Sequence, residues 1–410
     1  MIIQNAFIKG NCLIGAILLK MSGIGVVQKR FICHLLILIM CIRGKINFLQ
    51  LERYGSYSER SYRSNFSKQF DWLEFNTIFV KNQCSDELII GFDPSFISKS
   101  GKCTPGLGYF YSGCSSRYEK GLEIGCYSLI DVKQNTAYHL YAAQSKAPTR
   151  TDEGRTMMDQ YIDQFKSLGE KLKTISTVLV ADAYFSKYEY AQVVINQGME
   201  LISRLRSDAN LRYLHNGPQK SGRGRKKKFA GKVNTKKIDK RRVRHIYEDE
   251  QTRIFSLIVN SVNLKMNILL VCVENLDQQG NVKNMQMYFS TNLERDPIQV
   301  VEYYKARFQM EFNFRDAKQF TGLTNCQARA KERLDFHFNA TLTAINIGKS
   351  VARKGIAKDI SIPISIRDVK TELSNHLLLN FIFSKFGIDP DLQKNKSCIK
   401  EILDFGKIAA

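Results

Sequence analysis

The sequence predicts an α/β protein of the α+β kind, with a mixed sheet, a helical N-terminal region and a basic, strand-rich segment late in the chain. Three observations lead there. Short apolar runs and helical patterns follow one another as β-β-β-α-β-α-β between residues 86 and 206. Before residue 80 the apolar spacing is helical. Residues 215–244 hold thirteen Lys and Arg against one acid, Asp239. Apolar residues make up 44% of the 410 and prolines number only 7, so the chain can bury a sizeable core and is not of the disordered class.

The first element is the apolar stretch "CLIGAILLKMSGIGVVQKRFICHLLILIMCIRGK". Its uncharged runs fall short of the ~20 residues a membrane span needs, and no small-residue cleavage site follows a basic start. A buried helix after residue 30 is expected. Next, "INFLQLERYGSYSERSYRSNFSKQF" holds two short helical patterns meeting at Gly55, with Ser56 or Ser58 placed to cap the second. Arg60, Arg63 and Lys68 decorate that second helix. A DNA-binding helix-turn-helix and a plain helical hairpin with solvated cations both fit.

From residue 86 the period changes. "DELIIGFDPSFI" reads as a strand that ends at Asp93, with Pro94 stopping it. "LEIGCYSLIDV" and "NTAYHLYAAQ" read as antiparallel strands joined through "DVKQN". "TDEGRTMMDQYIDQFKSLG" reads as a helix to Gly169, and "ISTVLVADAYFSK" as a strand reaching Asp182. A helix over "KYEYAQVVINQG" and a strand over "MELISRLR" close the series. Regularity then fails through 215–244. Strands over "RIFSLIVNSV", "MNILLVCVEN" and "MQMYFSTN" follow, then a helix over Tyr303–Phe320, a last helical stretch from Arg333 and an acid-poor tail.

A net charge of +22 says nothing about fold, but it means attraction to polyanions: nucleic acid first, an anionic membrane surface second. The basic run alone supplies +12 of it. Such a run is either a solvated loop or a DNA contact, and crowded cations with one acid favour the polyanion. Arg223, Arg225, Lys226, Lys227 and Lys228 are its candidate DNA contacts, with steep salt dependence expected. The 10 cysteines include no C-x-x-C pair and no zinc spacing, so they read as reduced, buried small hydrophobes of a cytosolic protein.

In "YYKARFQMEFNFRDAKQF", at about 100° per residue, Tyr304, Arg307, Glu311 and Lys318 share an arc of about 60°. Phe308 and Phe312 flank the arc on one side, Tyr303 and Phe314 on the other. Lys305, Gln309, Asn313 and Asp316 point away, toward a solvated face. An amphipathic helix with an Arg307–Glu311 ion pair is the plain reading. A polar stripe between aromatic flanks instead fits a cleft that takes phosphate or metal. Asp93 and Asp182 each end an apolar strand. For either alone, capping a turn is the commoner role, and Asp131 is a third acid of that kind. Should Asp93, Asp182 and Glu311 converge, their repulsion calls for hard divalent cations. Two Mg²⁺ ions about 4 Å apart activate an attacking hydroxyl and stabilise a leaving oxygen.

These residues resemble the DDE transposases of bacterial insertion sequences, specifically the insertion-sequence-four-like family. That family's third acid lies in a Y-(2)-R-(3)-E-(6)-K signature, matched by Tyr304, Arg307, Glu311 and Lys318. "FDPSFISKSGK" resembles its first-acid segment and "VADAYFSK" its second. The resemblance implies a ribonuclease-H-like core over 81–208 and 291–355, interrupted by a basic β-rich insertion over 209–290. A helical N-terminal region over 1–80 precedes that core, and a tail over 356–410 follows. It implies Asp93, Asp182 and Glu311 as catalytic metal ligands for Mg²⁺, with Mn²⁺ as a substitute. It also implies Tyr304, Arg307 and Lys318 as phosphate contacts, double-stranded DNA as partner, a homodimer on DNA, and a bacterial, nucleoid-associated cytoplasmic protein. In some relatives a tryptophan of the insertion stacks on a flipped base. The only tryptophan here is Trp72, which leaves Tyr288 or Phe289 as candidates. A nuclease or resolvase without strand transfer and an inactive DNA-binding remnant are the rival readings.

Overall fold

The structure is a computed structural model that describes residues 6–113, 115–147, 154–219, 222, 224–353, 355–390 and 392–408. In chain order the elements are α1 (Ala6–Lys20), α2 (Val26–Cys41), α3 (Phe48–Tyr54), α4 (Glu59–Phe66), α5 (Trp72–Gln83), β1 (Leu88–Ser98), β2 (Gly108–Ser112), β3 (Arg117–Asp131) and β4 (Thr136–Ser145). There follow α6 (Met157–Lys173), β5 (Val178–Ala181), α7 (Tyr188–Asn196), β6 (Glu200–Leu205), β7 (Leu211–Leu214), β8 (Phe229–Lys232), β9 (Arg244–Glu248), β10 (Thr252–Ser261), β11 (Met266–Leu276) and β12 (Val282–Ser290). The chain ends with α8 (Pro297–Ala306), α9 (Gln309–Phe320), α10 (Lys331–Ala352), α11 (Ile366–Phe386) and α12 (Gln393–Asp404). It forms two compact units. One comprises Met1–Glu87, Pro94–Glu153 and Gln309–Ala410, the other Leu88–Asp93 and Gly154–Phe308. This division does not isolate residues 1–80, which share a unit with the last hundred residues.

The first unit is a helical assembly on an antiparallel sheet. β3 pairs with β2 and β4, and with the later half of β1. Gly121 of β3 passes so close to β1 that a Cβ there would sit 2.4 Å from the Ile97 carbonyl oxygen. β4 is closed on its outer side by a helix. Asn339 of α10 accepts from the Ala142 N–H and donates to its carbonyl, both at 2.9 Å. One heptad on, Asn346 does the same for His139, at 2.8 Å each way. The two carboxamides satisfy strand groups that would otherwise be buried unpaired. Asn76 of α5 joins them, donating to the Leu140 carbonyl and to Thr343 Oγ1. Behind α10 lies α2, where Lys370 of α11 donates to the Ile39 carbonyl at 3.0 Å.

The second unit is a mixed sheet. β1 (through Asp93), β5 and β6 run parallel; β12, β11, β10, β7 and β8 continue in antiparallel order, with β9 on β10. "VLVA" of β5 is buried throughout, as a parallel strand covered on both faces must be. Phe92, Tyr161, Phe185 and Tyr190 form an aromatic cluster beside it, with Phe92–Phe185 centroids 5.1 Å apart.

Several expectations change. Pro94 does not end β1, which continues to Ser98. Pairing with β5 stops at Phe92, so no β5 hydrogen bond is lost to the missing N–H. The apolar helix begins at Val26, not after residue 30, and α1 precedes it. α6 starts at Met157 under a Thr156–Asp159 capping box and passes through Gly169 to Lys173; Thr151, expected near its start, lies outside the described residues. The basic run contains β8, and the tail holds two helices. Two short helices meet at Gly55 and Ser58 caps the second, as expected, with Ser58 Oγ accepting from the Ser61 N–H. Among the described residues no helix is long and apolar enough to cross a membrane.

Candidate active site

Asp93, within β1, and Asp182, just past the end of β5, stand at the same level where the pairing of these parallel strands stops. The last register partners of β1 and β5 are Phe92 and Ala181, so the two aspartates are the next residues along strands about 4.8 Å apart. Asp182 is also held by its surroundings. Its Oδ1 accepts from the Tyr184 N–H at 2.8 Å, and its carbonyl accepts from Ser203 Oγ of β6 at 2.8 Å. A cation stands beside the pair: Arg307 Nη1 lies 3.3 Å from Asp93 Oδ2, with both side chains largely buried. That positive charge offsets the repulsion two adjacent carboxylates suffer.

Tyr304, one turn before Arg307, completes the constellation. Its ring packs on Tyr288 at 4.8 Å, and the Arg307 guanidinium lies 5.8 Å from its centroid. Burial pushes the phenol pKa up. Arg307 and Arg204 oppose that shift and the Asp182 carboxylate adds to it, so Tyr304 is a protonated donor at neutral pH. Arg204 is a further charge at this site that no sequence motif marks. Its signal was one exposed charge in an otherwise buried strand, directly opposite Tyr288.

The stretch Tyr303–Phe320 is not one helix. α8 ends at Ala306, α9 begins at Gln309, and Arg307 and Phe308 bond three residues back, to Tyr304 and Lys305. The common arc drawn through Tyr304, Arg307, Glu311 and Lys318 therefore does not hold. Asn313 and Asp316 are buried, not solvated: Asn313 Oδ1 accepts from Lys349 Nζ at 2.6 Å in the core of the first unit. Phe308 is exposed. Tyr304 and Arg307 belong to the second unit with both aspartates. Glu311, exposed in the first turn of α9, and half-buried Lys318 belong to the first.

Tyr288 and Phe289 are 3% and 0% exposed, which removes both as base-stacking candidates. Asp131 is buried and accepts from the Ser85 N–H, Ser85 Oγ and the Gln134 N–H, the turn-capping role expected of a strand-end acid. Arg225, Lys226, Lys227 and Lys228 line a concavity of about 1130 Å³ with Arg212 and Lys265. Arg223 lies outside the described residues.

A family model described as a transposase DDE domain matches residues 133–347, just over half of the chain. The chain belongs to the transposase DDE domain family. No curated protein matches it. The match in this DDE transposase covers Asp182, Tyr304, Arg307, Glu311 and Lys318, and begins beyond Asp93. Membership brings DNA transposition as the activity and DNA as the partner. DDE transposases generally use divalent metals. Among the described residues no three His, Cys, Asp or Glu side chains are gathered as a metal site. Two adjacent carboxylates, Asp93 with Arg307 beside it and Asp182, nonetheless supply the hard oxygen donors such an ion prefers.

Proposed function

We propose that this chain is an insertion-sequence-four-like transposase that binds the terminal repeats of its element, cleaves the ends and joins the freed 3′-hydroxyls to target DNA. The observation that carries the reading is the in-register placement of Asp93 and Asp182 with Arg307 against Asp93. A ribonuclease-H-like core is supported by the strand succession β4, β3, β1 in one unit and β1, β5, β6 in the other, with β7 to β12 as its insertion.

Asp93 and Asp182 would hold Mg²⁺ or Mn²⁺, with Glu311 assigned as third ligand on its place in the motif spacing alone. Ions held there would supply a water or hydroxyl nucleophile at neutral pH and neutralise the departing oxygen. Arg307 presents a planar fork to the scissile phosphate, Tyr304 donates its protonated hydroxyl and Lys318 a point charge. Lys226 to Lys228 and Arg225 follow the DNA backbone, as does Arg223. α3 and α4, with exposed Arg60 and Lys68, read the element end, and two copies act together on paired ends.

The test is Mg²⁺-dependent cleavage and joining on DNA carrying the cognate terminal repeats. Asp93→Ala, Asp182→Ala and Glu311→Ala should each abolish both steps and keep DNA binding. Cleavage without joining would make the chain a nuclease or resolvase; binding without cleavage would make it an inactive remnant.

A further inference from the structure

The hairpin of β2 and β3 carries three tyrosines that stand exposed among the described residues. Tyr109, Tyr111 and Tyr118 are 67%, 55% and 71% exposed. Their placement is regular. Tyr111 is the register partner of Tyr118, and Tyr109 that of Lys120. Partners in an antiparallel pair share a face, and residues two apart on a strand do too. The four side chains therefore make a two-by-two array on one face: an aromatic rung (Tyr111 and Tyr118, centroids 5.8 Å apart) beside a rung of one tyrosine and one lysine. Phe110 turns the other way and is buried.

The array stands on a fixed base. Gly108 packs so tightly on Ala147 that a Cβ there would lie 2.3 Å from the alanine's own, and Gln144 of β4 donates to the Pro105 carbonyl at 2.7 Å. Among the described residues β2 is the last strand of its sheet, so the array lies beside an edge that no described strand pairs. Successive rungs on one strand are about 6.7 Å apart, twice the thickness of a stacked base. At this end of the hairpin Arg117 pairs with the one nearby acid, Glu119, at 2.9 Å, and exposed Lys120, whose Nζ donates to the Gly101 carbonyl at 2.8 Å, leaves a positive charge beside Tyr109.

We propose that Tyr109, Tyr111 and Tyr118 form a stacking platform for unpaired DNA bases, with Lys120 on the adjoining phosphate. Aromatic rings interleaved with cations are the arrangement by which proteins hold single-stranded nucleic acid without reading its sequence. The proposal rests on the transposase reading in needing DNA as partner. It concerns unpaired bases alone, so cleavage and joining of fully paired ends test that reading separately.

The full-length chain is titrated with a 12-nucleotide oligo(dT) and with an abasic oligonucleotide of equal length and charge. Stacking of even one base should favour oligo(dT) by about fivefold or more. Tyr109→Ala/Tyr111→Ala/Tyr118→Ala should bring the two affinities together, while the triple Phe variant should keep them apart. Equal wild-type affinities, or a preference that survives the triple Ala change, would overturn the proposal. Photocross-linking of bromodeoxyuridine-substituted oligonucleotide to the wild-type chain locates the site without any variant. Cross-links mapping to residues 103–121 support the platform, and cross-links confined elsewhere sink it.

Discussion

His139 shows how one residue is fixed by its neighbours. Asn339 Oδ1 already accepts from a backbone N–H, so the imidazole Nε2 must donate to it, at 3.0 Å. Nδ1 is left bare, with no partner among the described residues. Burial depresses the His139 pKa to about 4. The unfolded chain therefore binds the proton first, and stability present above about pH 6.5 is lost as pH falls toward 4. Urea unfolding from pH 7.5 to 4.5 should show a decline on the order of 1–3 kcal/mol, which His139→Phe should flatten. At the candidate site, Arg307→Lys keeps the charge beside Asp93 and loses the planar fork. Cleavage should fall at least about tenfold, with little change in unfolding midpoint. The two aspartates were legible in sequence because each ends a short apolar run, a purely local signal. Arg204 was not, because what gives it meaning is Tyr288 and Tyr304, 84 and 100 residues away.

Among the elements, β4 depends on α10. Asn346→Leu removes both partners of the His139 backbone groups in a buried interface and should cost about 2–4 kcal/mol in chemical denaturation. Gly121→Val drives a branched side chain into the Ile97 carbonyl and should destabilise by more than about 2 kcal/mol. Most strands were readable from alternation and length. β2 was not, since five residues with three aromatics and two flanking turns carry no clear period. The break between α8 and α9 was hidden for a related reason. Arg307 keeps right-handed helical angles, so no Gly or Pro marks the spot where bonding shortens to three residues.

For the whole molecule, neither unit is continuous in sequence: α1 to α5 fold with α9 to α12, and Leu88–Asp93 folds with residues 154–308. Such a division depends on contacts hundreds of residues apart, and no local pattern announces it. Net charge, by contrast, is read straight from composition. With +22 overall, DNA affinity measured by anisotropy between 50 and 200 mM salt should fall steeply, and Lys226→Ala/Lys227→Ala/Lys228→Ala should lower the logarithmic slope by about 2–3. The carboxamide clasp on β4 has a last consequence. Where other proteins guard a sheet margin with charge, this chain guards it with a helix, so a partly opened form in which α10 peels away would bare a ready template for fibril growth.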